Sequence, residues 1–394
     1  MNPLKAQYER FPYPPIYPLA LPKRGQGRSL SYEYGLQLAG KTEGAEHPRL
    51  LIAGCGTLEP LLVAEYHPKA VEIVAVDLSQ RSLRQAKIRY WFAHVAPSRF
   101  SLVPRRRFGP VTFVENDLRE FRDIAGFDYI IASNVLHHVE DPAGLLQHLS
   151  SLLRPDGLFR MVTYPKSSRT WMRRTSAFLK ANGITAATPR LRKRAFQLIR
   201  SLPANDPRRL TFESQPETRT AAGIVDAFLH VQENPLGPLE WAHACKDARL
   251  ELVAETQNET SRSDFLDEVV PELKHLNAWI KLQILDDLLE LCSNPVLWLR
   301  KTSHPSKSVA VPEFSTNLVG AAGASIDVRQ EFKTNLKRIS ILLEGTGIDV
   351  QTLFDRFKNE VGPRVSPEDE EIELPGLAMT DYSFDELMRS NKIL

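Results

Sequence analysis

The chain alternates short apolar runs with stretches whose apolar residues recur at helical spacing. Arg49 to Gly54 (RLLIAG) ends in glycine and Val71 to Asp77 (VEIVAVD) ends in an acid. Val111 to Asn116, Phe127 to Ser133 (FDYIIAS) and Gly157 to Thr163 (GLFRMVT) follow. Runs this short and apolar predict strands buried on both faces, as in a parallel sheet. Between them, Ser79 to Phe92 places Leu83, Ala86 and Tyr90 on one side of a helix, and Ala143 to Leu153 predicts another. Strand and helix in alternation predict βαβ units with helices on both faces of a mostly parallel α/β sheet. After Thr163 the rhythm breaks. Ser167 to Gly183 and Leu191 to Leu202 predict basic helices, and the next strand pattern is Leu250 to Glu255 (LELVAE). A long helical stretch runs from Ser263 to Cys292, and Val296 to Lys301 (VLWLRK) predicts the last strand. Helices over Val328 to Glu344 and Val350 to Val361 precede an acidic, proline-bearing tail, Ser366 to Gly376. The expected organisation is a core of residues 1–302, with a leading segment 1–45 and a basic helical insert 165–245, followed by a helical extension 303–394.

Composition adds little except for where the charge lies. Of 394 residues, 42% are apolar and 25% charged, as in ordinary globular proteins. No apolar run approaches the roughly 18 to 20 residues that span a bilayer, and Met1 to Tyr8 lacks a secretory pattern. Cys55, Cys245 and Cys292 are far apart and odd in number, which suits neither a disulfide framework nor a zinc site, so no metal is expected. A cytoplasmic protein is the simplest fit. The formal net charge is +2, yet Lys166 to Arg209 holds twelve basic residues and a single acid, Asp206. The rest of the chain is therefore net acidic.

The chemistry starts at Ala53-Gly54-Cys55-Gly56-Thr57, directly after the first strand. Glycines there allow a tight turn and close approach of a ligand to free amides at a helix N-terminus. Asp77, at the tip of the second strand, is placed to accept hydrogen bonds from two ribose hydroxyls; otherwise it is a solvated strand-end acid. Glu59 stands where a dinucleotide turn carries its third glycine, which disfavours a nicotinamide oxidoreductase. Asn116 and Asp117, after the third strand, suit an adenine lying across the strand ends; alternatively Asp117 caps the next helix.

LLIAGCGT, VAVDLS, FDYIIASNVLHHVEDP and LLRPDG resemble successive signature segments of class I S-adenosylmethionine-dependent methyltransferases. Tyr8-Glu9-Arg10-Phe11-Pro12-Tyr13-Pro14 and Leu229-His230-Val231-Gln232-Glu233 resemble segments of a bacterial group often fused to tetratricopeptide repeats. The resemblance covers roughly Tyr8 to Lys301. It implies a Rossmann-like, seven-stranded methyltransferase sheet, S-adenosylmethionine as cofactor, and a cofactor site formed by Gly54, Cys55, Gly56, Thr57, Asp77, Leu78, Asn116, Asp117, Ser133 and Asn134, with Tyr8 and Tyr13 as a lid. Ile52 departs from it, replacing the acid that many class I enzymes carry two residues before the first glycine.

The acceptor is less legible. Methyl transfer is an in-line displacement that needs a positioned nucleophile, exclusion of water and, for some acceptors, a base. Ser133-Asn134-Val135-Leu136 replaces the Asn/Asp-Pro-Pro-Tyr/Phe motif of enzymes acting on planar amides and adenine amino groups. His137 and His138 are candidate bases or scaffold, and His230 with Glu233 is a candidate catalytic pair or a packing pair. The leading aromatic residues either close over the cofactor or pack on the sheet edge. The insert, through residues such as Arg173, Arg174, Arg192 and Arg194, either grips an anionic protein or other macromolecule, pairs with the acidic tail, or is a solvated face; little aromatic interleaving accompanies it, which disfavours nucleic acid. The expected activity is methyl transfer to a macromolecule. The alternatives are a small-molecule methyltransferase or a catalytically silent adenosylmethionine-binding partner.

Overall fold

A computed structural model describes residues 2–22, 27–41, 43–100, 107–256, 262–289, 294–302 and 328–361. Helices α1 (Pro3–Arg10) and α2 (Tyr32–Leu38) lead into β1 (Arg49–Ala53), α3 (Glu59–Tyr66), β2 (Glu72–Asp77), α4 (Gln80–Phe100) and β3 (Val111–Glu115). Then come β4 (Phe127–Ser133), α5 (Pro142–Ser151) and β5 (Leu153–Val162). The insert contributes α6 (Thr170–Ala181), α7 (Pro189–Arg200), α8 (Pro207–Ser214) and α9 (Ala221–Phe228). It is followed by α10 (Pro238–Asp247), β6 (Leu250–Glu255), α11 (Ser263–Val269), α12 (Ala278–Leu288) and β7 (Val296–Lys301). Helices α13 (Val328–Leu342) and α14 (Val350–Val361) close the described chain.

The seven strands form one sheet in the order β3-β2-β1-β4-β5-β7-β6. β7 runs antiparallel to both its neighbours, and the remaining pairings are parallel. Successive side chains of a strand leave opposite faces. Leu51 and Ala53 accordingly join a core with α5, α10 and α12, while Leu50 and Ile52 join one with α2, α3 and α4. That two-sided burial is why the strands read as unbroken apolar runs. The insert builds a third core of its own around Leu179, Ile199, Phe212 and Phe228.

Two elements differ from the sequence pattern. The stretch expected to be helical from Ser263 onward is broken at Pro271, which has no N–H to donate. Asn277 then restarts the helix, its side chain accepting from Ile280 N–H at 3.0 Å. Cys292 lies outside the described residues. β5 begins at Leu153, four residues earlier than its apolar run, because Leu153 pairs with Phe127 before the register shifts. The extension beyond residue 302 packs into the main core through Leu336, Ile339, Leu342, Leu343, Leu353, Phe354 and Phe357. A buried, bidentate pair of Arg338 with Asp287 ties α13 to α12 at 2.5 and 2.7 Å. The acidic tail, including Glu368, Asp369, Glu370, Glu371 and Glu373, is outside the described residues.

Strand order reverses between β1 and β4, which opens a crevice at their carboxyl ends, where ligands of open α/β sheets bind.

Candidate functional site

Gly54 and Gly56 both hold positive φ, +71° and +56°, in the turn after β1. A side chain on Gly54 would strike Val135 in the loop after β4, and one on Gly56 would strike the Tyr13 carbonyl. Glycine is thus required twice, for conformation and for contact. Asp77 fixes the turn from the next strand. One carboxylate oxygen accepts Gly56 N–H at 2.8 Å and the other accepts Ser79 N–H at 2.8 Å. Each oxygen keeps a further lone pair for a ligand hydroxyl. Burial raises the Asp77 carboxyl to about 6, against the pull of those two backbone donors. Leu78 lies half-buried beside it, and Asn116 N–H closes the β2–β3 edge by donating to the Asp77 carbonyl at 3.2 Å.

The leading segment lies directly on this turn. Thr57 N–H donates to the Tyr13 carbonyl at 3.1 Å and the Thr57 hydroxyl to the Pro14 carbonyl at 2.7 Å. Arg89, fully buried on α4, donates to the carbonyls of Ile16, Tyr17 and Ala20, and also to that of Thr57. Four carbonyls from two segments therefore share one guanidinium. Cys55 is buried, and burial pushes its thiol well up, so it is not a nucleophile.

Across the crevice, the Ser133 hydroxyl donates to Glu59 at 2.6 Å and accepts from Arg160 at 3.1 Å. Asn134 holds φ +56° and accepts from the Asn294 side chain at 3.2 Å. Asp117 is gripped by Arg119 through both carboxylate oxygens, at 2.6 and 3.0 Å, and the Arg119 bond holds its carboxyl below the usual range. The turn that follows Asp117 is not a helix.

A second polar group lies beyond the tips of β4 and β5, roofed by α1 and α9. His137 Nδ1 accepts Tyr164 N–H at 3.1 Å, its ring stacks on Tyr164 at 3.7 Å, and it has no exposed surface. Its Nε2 is buried and has no hydrogen-bond partner among the described residues. His138 Nδ1 donates to the Gln232 carbonyl at 3.1 Å, which leaves Nε2 an open acceptor, and its ring stacks on His230 at 3.7 Å. His230 Nδ1 accepts Gln232 N–H at 3.1 Å, so its Nε2 carries the proton and donates to the Tyr8 hydroxyl at 3.1 Å. Burial depresses all three imidazoles, His230 to about 4, so they stay neutral. Glu233 does not pair with His230. Its carboxylate lies 3.6 Å from Arg169, whose guanidinium sits 3.7 Å over the Tyr164 ring.

Sequence patterns missed Asp226. It is buried on α9, accepts from the Tyr164 hydroxyl at 3.4 Å, and is pushed up to about 7 by burial, with Arg169 opposing and Glu233 adding to the shift. Its one signal was being the sole acid in the apolar octet Ala221–Phe228. Donor atoms of His138, Asp226 and His230 lie within 4.8 Å of one another. A cation would need a lone pair on each ring, but Gln232 N–H already uses His230 Nδ1 and the Nε2 proton is given to Tyr8, so the donor set fits a proton-sharing group better than a metal. Tyr8 bridges the two halves. Its phenol is raised by burial and then by the charges of Asp226, Tyr164 and Asp77.

Much of the insert's charge is met internally. Glu331 of α13 pairs with Arg173 at 2.7 Å and Arg174 at 2.9 Å, and Arg192 donates to the Thr218 and Arg219 carbonyls. Arg190, Lys193 and Arg194 remain exposed along α7, lining a groove with Leu191 and Gln197.

Residues 51–159 match the family model of a methyltransferase domain, a stretch that contains the glycine turn, Asp77, Asp117 and Ser133. An uncharacterised protein of Synechococcus is 30% identical over 173 residues, 43% of this chain and 38% of that protein. An uncharacterised methyltransferase of Mycobacterium tuberculosis is 28% identical over 116 residues, 29% of this chain and 50% of that protein. The chain thus spans half or less of the length of these relatives. The solved structure of PKMT2 from Rickettsia typhi superposes with TM-score 0.53 at 13% identity, covering 84% of this chain and 72% of that one, a likeness of fold. Residues 51–159 therefore resemble a methyltransferase domain, and the sheet that contains them shares its fold with that solved structure. Among the described residues, no helix is long and apolar enough to cross a membrane.

Proposed function

We propose that the chain binds S-adenosylmethionine across the carboxyl ends of β1, β2 and β3 and transfers its methyl group to a macromolecular acceptor held at the His138–Asp226–His230 group. The observation that carries this reading is Tyr8, which touches His230 and feels the charges of both Asp77 and Asp226. It supports reading the glycine turn and the buried polar group as parts of one site. When bound, the sulfonium supplies an electrophilic methyl group. Asp77 binds ribose hydroxyls, the glycine turn accommodates the amino-acid end, and Asp117 with Asn116 borders the adenine. Tyr8, Tyr13 and the Gln7–Val231 bond, at 2.9 Å, exclude water from the acceptor side.

A protein that only bound the cofactor would gain nothing from a buried ionisable carboxylate, so we read the chain as an enzyme. We assign it to the group often fused to tetratricopeptide repeats, on its Tyr8–Pro14 and Leu229–Glu233 segments, and we place it in the cytoplasm. The exposed cations of α7 suit an acidic face on a protein acceptor. Incubation with labelled S-adenosylmethionine and fractionated cell extract tests the reading directly. Label should pass to a protein fraction, and an enzyme that binds NAD but no adenosylmethionine overturns it.

A further inference from the structure

Most charges around Asp226 are cancelled or neutral. Arg169 is balanced by Glu233, and the imidazoles of His138 and His230 are held neutral. Tyr164, Tyr8 and Tyr13 are phenols raised by burial, and Glu217 adds a second negative field. Asp226 is left as a buried carboxylate with one weak donor, the Tyr164 hydroxyl. Buried among imidazoles and phenols that are held neutral, such a group calls for a cation. A carboxylate acceptor would be repelled there, and an alcohol would not relieve the charge.

Resting on the methyltransferase reading, we propose that the acceptor is a primary alkyl amine that enters as its ammonium ion, and that Asp226 is its general base. One N–H proton passes to the Asp226 carboxylate, freeing the nitrogen lone pair. That pair forms the N–C bond to the methyl group as the C–S bond breaks, leaving its electrons on sulfur. The product is a methylated ammonium, a neutral thioether and protonated Asp226, so charge is conserved. A carboxyl poised at about 7 accepts and releases a proton near neutrality, as a base of this kind requires. Tyr164 is a positioning residue, holding the carboxylate toward the histidines.

The test uses the full chain saturated with adenosylhomocysteine, probed with n-butylammonium, n-butanol and butyrate, while the Asp226 carboxyl is followed by carbon NMR. Wild type should bind butylammonium at least about tenfold more tightly than the other two probes. Binding should strengthen as pH rises through about 7 and should lower the carboxyl midpoint. Asp226→Asn should erase the preference while adenosylhomocysteine affinity, which reports on folding, stays unchanged. Tyr164→Phe should raise the midpoint. Equal binding of butanol and butylammonium, or an unchanged preference in Asp226→Asn, overturns the proposal and leaves the cofactor reading intact. Failure of wild type to bind adenosylhomocysteine overturns both.

Discussion

Asp77 does two jobs with one carboxylate, and they separate on substitution. Asp77→Asn keeps one acceptor oxygen for the backbone but loses the charge that strengthens ribose hydrogen bonds. We expect adenosylhomocysteine affinity to fall by about 1.5–3 kcal/mol per charge-assisted bond, read by calorimetry; equal affinity refutes the ribose role. Its carboxyl is raised to about 6, so ligand donors favour the ionised form. Affinity in wild type should then fall about tenfold per unit below pH 6 and level off above it. Asp226 bears on stability rather than on cofactor affinity. Its folded value of about 7 lies above the ordinary 3.8, so the folded state binds the extra proton between those values. Stability is lost as pH rises through 7, and Asp226→Asn should raise Tm at pH 8, by a gain on the order of 3 kcal/mol, but not at pH 3.5. A Tm unchanged at pH 8 refutes the buried charge. His67 adds the acid limb. It is buried, neutral, depressed to about 4, and accepts Tyr32 N–H at 2.8 Å. The unfolded chain takes up its proton first, so that stability is present above pH 6.5 and lost as pH falls toward 4.

At the scale of elements, strands and the glycine turn were legible because local rules set them: unbroken apolar runs for two-sided burial, glycines for positive φ. What escaped depends on distant partners. Asp226 meets Tyr164 across 62 residues, and Arg89 meets Ile16 across 73. Neither has a periodicity to reveal it. The leading segment shows the same limit. Its aromatic residues suggested a lid or a packed edge, and the hydrogen bonds from Thr57 and Arg89 pin it to the turn. Limited proteolysis near Arg10 should thus proceed equally with and without cofactor. Arg89→Met keeps the buried stem but removes the donor that four carbonyls share, of which that of Tyr17 keeps a backbone donor, Ala20 N–H. It should speed cleavage between residues 11 and 22 and weaken adenosylhomocysteine binding by roughly 1–3 kcal/mol. Unchanged cleavage would mean that packing alone holds the segment.

For the whole molecule, the helices beyond residue 302 join the main core and also carry a counter-charge for the basic insert. Seven apolar side chains between Leu336 and Phe357 complete the main core, and Glu331 pairs with both Arg173 and Arg174. A chain ending at residue 302 should aggregate on expression, having exposed on the order of 10 kcal/mol of apolar burial. This pairing also redraws where an acidic acceptor could dock. Reversing Arg173 or Arg174 breaks an internal contact, so any loss of activity there reports on folding. Arg190, Lys193 and Arg194 are the informative set, being exposed on one groove and outside the insert's core. Changing all three to Glu should leave Tm and adenosylhomocysteine affinity as they were and raise KM for the protein acceptor at unchanged kcat. Wild-type transfer should slow as salt is raised, since exposed charges are screened over about 10 Å at 0.1 M. The triple variant should lose that salt dependence, because the field that steers the acceptor is gone. If its KM and salt response match wild type, α7 is a solvated face and the acceptor docks elsewhere.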